Sequence, residues 1–150
     1  MRVVIQRVTE ARCRIDNKIH SSIGRGLMIL VGITHNDSTE DIAWLAKKIA
    51  DMRIFDDSEG VMNLSVKDVA GEVMIISQFT LHALTKKGNR PSWINAAPEA
   101  ISRPLYEAFI AAVESAIGGK VATGSFGADM QIELTNDGPV TICMDTKHRE

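Results

Sequence analysis

Five successive apolar residues, Leu27-Met28-Ile29-Leu30-Val31, stand between Gly26 and Gly32. The run is too short for an ordinary helix and has no polar alternation. As a strand, it has to be covered on both faces. The segment Glu72-Val73-Met74-Ile75-Ile76-Ser77-Gln78-Phe79 makes the same demand, so Val73 to Phe79 is read as a second buried strand. A chain with two such strands needs apolar cover on either side of its sheet.

The remaining segments can supply that cover. Val3 to Ile15 alternates at both ends and changes phase between Ile5 and Val8, which predicts a long strand with a bend or bulge. Asp16-Asn17-Lys18 has turn chemistry, and Ile19 to Ile23 reads as the returning strand of a hairpin. A first helix is signalled by Asp37 or Ser38 as cap, by Glu40 and Asp41 in its first turn, and by an apolar stripe of Ile42, Leu45, Ile49 and Met52. Arg53 to Phe55 is expected to be a short strand and Asp56 to Gly60 a turn. A second helix is placed from about Ser102, because Pro104 fits best in a first turn. Leu105, Phe109, Val113 and Ile117 form its stripe, and Gly118-Gly119 ends it. Lys120 to Asp145 is strand-rich, with Asn136 to Pro139 read as a turn and Val140 to Met144 as the returning strand. The fold class expected is α/β (α+β): a curved, barrel-like mixed sheet with two main helices packed outside.

The length of 150 residues fits one domain, taken as residues 1–150, and such a chain buries roughly two-thirds of its unfolded surface. No apolar run approaches the roughly 20 residues of a membrane span, and the alternating start lacks the apolar stretch of a secretory signal. Cys13 and Cys143 are read as reduced thiols. A net charge of −2 excludes a protein that grips nucleic acid by bulk positive charge, though not one with a local basic patch.

The usual catalytic inventory is nearly empty. His20, His35, His82 and His148 have no metal-ligand spacing, and no GxSxG elbow, P-loop or GxGxxG fingerprint is present. Three segments stand out. Ser77-Gln78-Phe79-Thr80-Leu81 puts three hydrogen-bonding side chains at the end of an apolar strand. They either face solvent or line a pocket whose backbone N–H groups hold an oxyanion. Thr80 lacks an evident base, so nucleophilic attack by its hydroxyl is not secured. In Asn136-Asp137-Gly138-Pro139-Val140-Thr141 the Gly-Pro bond is either part of a plain turn or a cis unit presenting backbone carbonyls as rigid acceptors. Lys86, Lys87 and Arg90, with Trp93 nearby, make either a solvated loop or phosphate and base contacts on RNA.

These segments together resemble the D-aminoacyl-tRNA deacylases. The similarity lies in SQFTL at 77–81, KGNRPSW at 87–93, GSFGADM at 124–130 and NDGPVT at 136–141, and extends to VIQRV at 4–8 and RIFDDSEGVMNLS at 53–65. The resemblance implies a homodimeric cytoplasmic hydrolase that cleaves the ester between a D-amino acid, or mischarged glycine, and tRNA. It implies no metal and no organic cofactor, and as partners tRNA and a second copy of the chain, with no membrane and no DNA. Carried over by position, Ser77, Gln78, Phe79 and Thr80 line the pocket. Gly138 and Pro139 form a cis unit that enters the partner subunit's pocket, steadied by Arg7, and Met130 is a lining residue. Lys86, Lys87 and Arg90 are candidate tRNA contacts. Trp93 stands where this family's pattern has Phe. Two rival readings remain at this point: an RNA-binding module without catalysis, and a dimeric scaffold.

Overall fold

The computed structural model describes residues 1–149. Strand β1 (Arg2–Ile15) turns through Asp16 and Asn17, both at positive φ as a two-residue type I′ turn requires, into β2 (Lys18–Ile23) and then β3 (Gly26–Gly32). β2 and β3 lie end to end along one edge of β1, antiparallel to it. Ala11 opposite Ile23 and Val8 opposite Gly26 keep a single register across the break at Gly24 and Arg25. Gly26 admits no side chain: a Cβ there would lie 1.8 Å from the Glu72 carbonyl oxygen of the neighbouring strand.

Helix α1 (Thr39–Asp51) follows, then a small hairpin of β4 (Phe55–Asp56) and β5 (Met62–Leu64). β6 (Glu72–Ser77) runs parallel to β3, and a 3-10 turn (Phe79–His82) follows it. Helix α2 (Glu99–Ile117) leads to β7 (Val121–Thr123), parallel to β6, and finally to β8 (Gln131–Asp145), which covers the other edge of β1. The mixed sheet curls until Ser21 of β2 donates its hydroxyl to the Thr123 carbonyl of β7 at 2.7 Å, giving a nearly closed, barrel-like form with two helices outside.

The two apolar runs are covered as their composition demands. Leu27, Ile29 and Val31 of β3 and Val73 and Ile75 of β6 face the core shared with the helices. Met28, Met74 and Ile76 point the other way, into a cluster with Val8, Cys13 and Ile23 inside the curl. The α1 stripe is buried at Ile42, Leu45 and Ile49, and Ser38 is the cap: Asp41 accepts from the Ser38 N–H at 2.8 Å and from its hydroxyl at 3.1 Å.

Four expectations need correction. α2 begins at Glu99, not Ser102, so Pro104 is its sixth residue. Pro104 deprives the Ala100 carbonyl of a donor, but both residues are exposed and water can serve there. The short strand falls at Phe55–Asp56 rather than 53–55, which takes Asp56 out of the turn. β6 ends at Ser77, and Phe79 belongs to the 3-10 turn. Asn136 to Pro139 is no chain reversal. Gln6 pairs with Thr141 and Val8 with Asn136, so both flanks stay on β1 and Asp137, Gly138, Pro139 and Val140 bulge out opposite Arg7 alone. The bend expected in β1 is present but lies one step later, beyond Val8 rather than between Ile5 and Val8, where Thr9 is the extra residue between the Val8 and Glu10 pairings.

Candidate active site

β6 delivers Ser77 and Gln78 to the edge of the curled sheet, where the strand gives way to the 3-10 turn. A cavity of about 380 Å³ opens there. Ser77, Gln78 and Phe79 form one wall, Glu99 and Ser102 of α2 a second, and Phe126 to Met130 a third. Ile76 and Ile132 extend the apolar cluster inside the curl into its floor. The site is thus a slot of mixed lining, with an apolar floor and polar groups on its walls, a composition that suits a small ligand.

Local bonding fixes the wall. The Gln78 N–H donates to the Val31 carbonyl at 2.7 Å, tying the start of the turn to β3. The Gln78 side-chain amide donates to the Thr80 hydroxyl. Thr80, half-buried beside Phe79, is thus oriented by Gln78 and is not among the residues that line the cavity. Phe79 and Thr80 occupy the first two positions of the 3-10 turn, where backbone N–H groups have no partner within the turn, and neither donates elsewhere among the described residues. Such donors can take up charge on a carbonyl oxygen held before them.

The third wall depends on Gly124. A Cβ at that position would lie 2.3 Å from Met130 Sδ and 3.2 Å from Ile76 Cδ1, so only glycine lets Met130 fold down against the slot. Arg103 lies over the Phe126 ring at 4.9 Å and pairs with Glu99, linking the second wall to the third. Phe79 and Trp93 meet edge to face at 5.5 Å, half exposed at the mouth.

The Gly138–Pro139 peptide is cis. Neither residue lines the cavity of its own chain, and both are exposed on the bulge of β8. Arg7, only 5% exposed, sits beneath them. It donates from Nε to the Asp137 carbonyl at 3.1 Å and from Nη1 to the Ile54 carbonyl at 2.6 Å, and it lies 3.2 Å from an Asp137 carboxylate oxygen. Lys86, Lys87 and Arg90 project from an exposed loop closed by paired backbone bonds between Leu84 and Ser92. None of the three forms an ion pair among the described residues.

The structure brings Ser77, Gln78, Phe79 and Met130, all named from the sequence, around one cavity, and adds Glu99 and Ser102, which sequence reasoning does not name. Ser102 has a legible signal. It lies on the helical face of Tyr106, Phe109 and Val113, and a polar residue on a buried stripe is unusual. His82 also escapes such reasoning. Its ring is 7% exposed and burial lowers its pKa, while Nε2 has no hydrogen-bond partner. No cluster of three His, Cys, Asp or Glu suited to a metal is found among the described residues.

Residues 4–145 match the family model described as D-Tyr-tRNA(Tyr) deacylase. Proteins named D-aminoacyl-tRNA deacylase are similar to the chain over its full length and theirs, with 59% identity in Bacteroides thetaiotaomicron, 61% in Bacteroides fragilis and 57% in Flavobacterium psychrophilum. A solved structure of a protein named c-Myc DNA Unwinding Element Binding Protein superposes with a TM-score of 0.92 at 35% identity, covering 97% of this chain and 98% of that one. A second, of a probable eukaryotic D-amino acid tRNA deacylase, has a TM-score of 0.81 at 18% identity over 95% of this chain and 97% of its own, and shares the fold. With a family match over nearly all its residues and full-length relatives near 60% identity, the chain belongs to the D-Tyr-tRNA(Tyr) deacylase family.

Proposed function

We propose that the chain is a single-domain hydrolase that removes D-amino acids, and glycine, from tRNA in the cytoplasm, acting as a homodimer without metal or organic cofactor. One observation carries the reading: the slot walled by Ser77, Gln78, Phe79 and Met130 is open on one side, and the chain's own Gly138 and Pro139 stand outside it on an exposed bulge. A second copy can then bring its Gly138 and Pro139 carbonyls to that opening. There they would crowd one face of the substrate α-carbon, where an L side chain meets backbone and a hydrogen does not. Glycine, with hydrogen on both sides, passes as well. No helix among the described residues is long and apolar enough to cross a membrane.

The chemistry asks little of side chains. An aminoacyl ester is already activated. Water adds to its carbonyl carbon, the oxyanion rests on the Phe79 and Thr80 N–H groups, and collapse breaks the carbon–oxygen bond to ribose. The proton lost by water goes to the leaving ribose oxygen by way of the neighbouring ribose hydroxyl. Placement and prepared N–H donors suffice for such a step. Thr80, held by Gln78, positions the turn and does not attack. Lys86, Lys87 and Arg90 meet tRNA phosphates. DNA is not a partner in this reading, although one solved relative is named for binding a DNA element.

The decisive experiment is incubation with D-Tyr-tRNA and with L-Tyr-tRNA, with release of amino acid followed. Selective loss of the D-ester is expected. Retention of tRNA with both esters intact would make the protein a binding module, and neither retention nor cleavage would make it a scaffold.

A further inference from the structure

A second groove, of about 400 Å³, shares no lining residue with the slot. It lies between α1 and the end of β8 and is lined by Arg2, Trp44, Lys48, Asp145, His148 and Arg149 among others. Its one carboxylate is already engaged: Asp145 accepts from Arg2 Nη2 at 2.8 Å and from the Lys147 N–H at 2.9 Å. Lys48 and Arg149 have no carboxylate partner among the described residues. Both are gathered on the half-buried Trp44 indole, at 6.0 Å for Lys48 and 4.5 Å for Arg149 from the ring centre. Arg149 is further held by donation to the Thr146 carbonyl at 3.1 Å. Two cations held at one aromatic ring, without a carboxylate partner among the described residues, offer a place for a polyanion.

One bond ties the groove to the turn that bears the slot's Phe79. Arg2 donates from Nη1 to the Leu81 carbonyl at 2.7 Å, and Leu81 is two residues beyond Phe79 in the same 3-10 turn. An RNA whose 3′ end enters the slot can carry its sugar-phosphate chain past that turn to the groove. We infer that Lys48 and Arg149, braced on Trp44, form a phosphate-binding site for the acceptor stem of tRNA. The inference deepens the tRNA reading of the slot, but it is tested by binding alone.

The test is the affinity of the full-length protein for uncharged tRNA, measured between about 50 and 200 mM KCl. The Lys48→Ala/Arg149→Ala variant is compared with Lys18→Ala/Lys120→Ala, which removes the same charge outside the groove. At 100 mM salt the groove variant is expected to bind roughly tenfold more weakly, with its logarithmic salt slope smaller by about 1 to 2. The control should change less than twofold. Equal losses in both variants, an unchanged groove variant, or no binding by the parent would each overturn the site. Weakened binding by the groove variant beside a D-ester that stays uncleaved would uphold the site and sink the deacylase reading.

Discussion

The Arg7 guanidinium donates to the Asp137 carbonyl at 3.1 Å across 130 residues of sequence, and this one side chain of β1 faces all four residues by which β8 leaves its register. Its other bonds, to the Ile54 carbonyl at 2.6 Å and to Asp56 at 3.3 Å, anchor it to the chain entering the β4–β5 hairpin. Arg7→Ala should therefore cost about 3 kcal/mol in urea unfolding, because buried acceptors lose a charged donor. It should also lower kcat/KM for D-Tyr-tRNA more than tenfold as the bulge loses its support. Arg7→Lys keeps the charge without the fork and should fall between. A destabilised Arg7→Ala with undiminished deacylation would reduce Arg7 to a structural role.

Gly124 makes a different kind of prediction, about shape. The 2.3 Å approach to Met130 Sδ means that Gly124→Ala must push the thioether aside, and the open direction is the slot. Unfolding stability should fall by about 1 kcal/mol, while KM for D-Tyr-tRNA rises severalfold. Met130→Ala in the same chain makes room again. The double variant should be better than the sum of the single losses by about 1 kcal/mol in kcat/KM, a coupling a double-mutant cycle reads directly.

What can be read in advance divides along physical lines. The Asp16-Asn17 turn, the buried runs of β3 and β6 and the cap of α1 are fixed by neighbours within a few residues, and each is legible. Pro104 misleads because its cost depends on whether the Ala100 carbonyl reaches water, which is a property of the folded surface. Asn136 to Pro139 misleads for a related reason. Its composition suits a hairpin turn, and only the pairing of both flanks with β1 shows that the chain continues. In the site, Ser77, Gln78 and Thr80 announce themselves as polar groups ending an apolar strand. Glu99 comes to the same cavity only through the packing of α2, which no local pattern records.

Thr80 separates two mechanisms. Its hydroxyl accepts from the Gln78 amide and does not line the slot. Thr80→Ala is expected to keep deacylation within roughly tenfold of the parent, the scale of one lost orienting hydrogen bond. A loss of several orders of magnitude in kcat with unchanged substrate binding would make Thr80 the nucleophile, and the scheme of a positioned water would be abandoned.

His82 links this turn to acid stability. Burial is the main cause of its lowered pKa, and Arg2 adds to the effect while a bond to the Gly32 backbone and the Asp37 charge oppose it. The folded protein therefore holds His82 neutral at a pH where the unfolded chain, with the ordinary value of 6.5, has begun to protonate. The unfolded state binds the extra proton, so stability rises with pH through this window and falls as pH drops below about 6.5 toward the lowered folded value. The slope attributable to one such group is at most about 1.4 kcal/mol per pH unit. The lowered carboxyls act elsewhere: Asp41, held down by Lys147, Thr146 and Ser38 against the effect of burial, loses its contribution only below its ordinary value of 3.8. Urea unfolding at pH 7.5, 6.0 and 5.0 should show the parent weakening on acidification, and His82→Leu should show a flatter profile over the same range. Parallel profiles for the two proteins would mean that His82 titrates alike in the folded and unfolded chain, and that its burial beneath the turn carries no acid sensitivity.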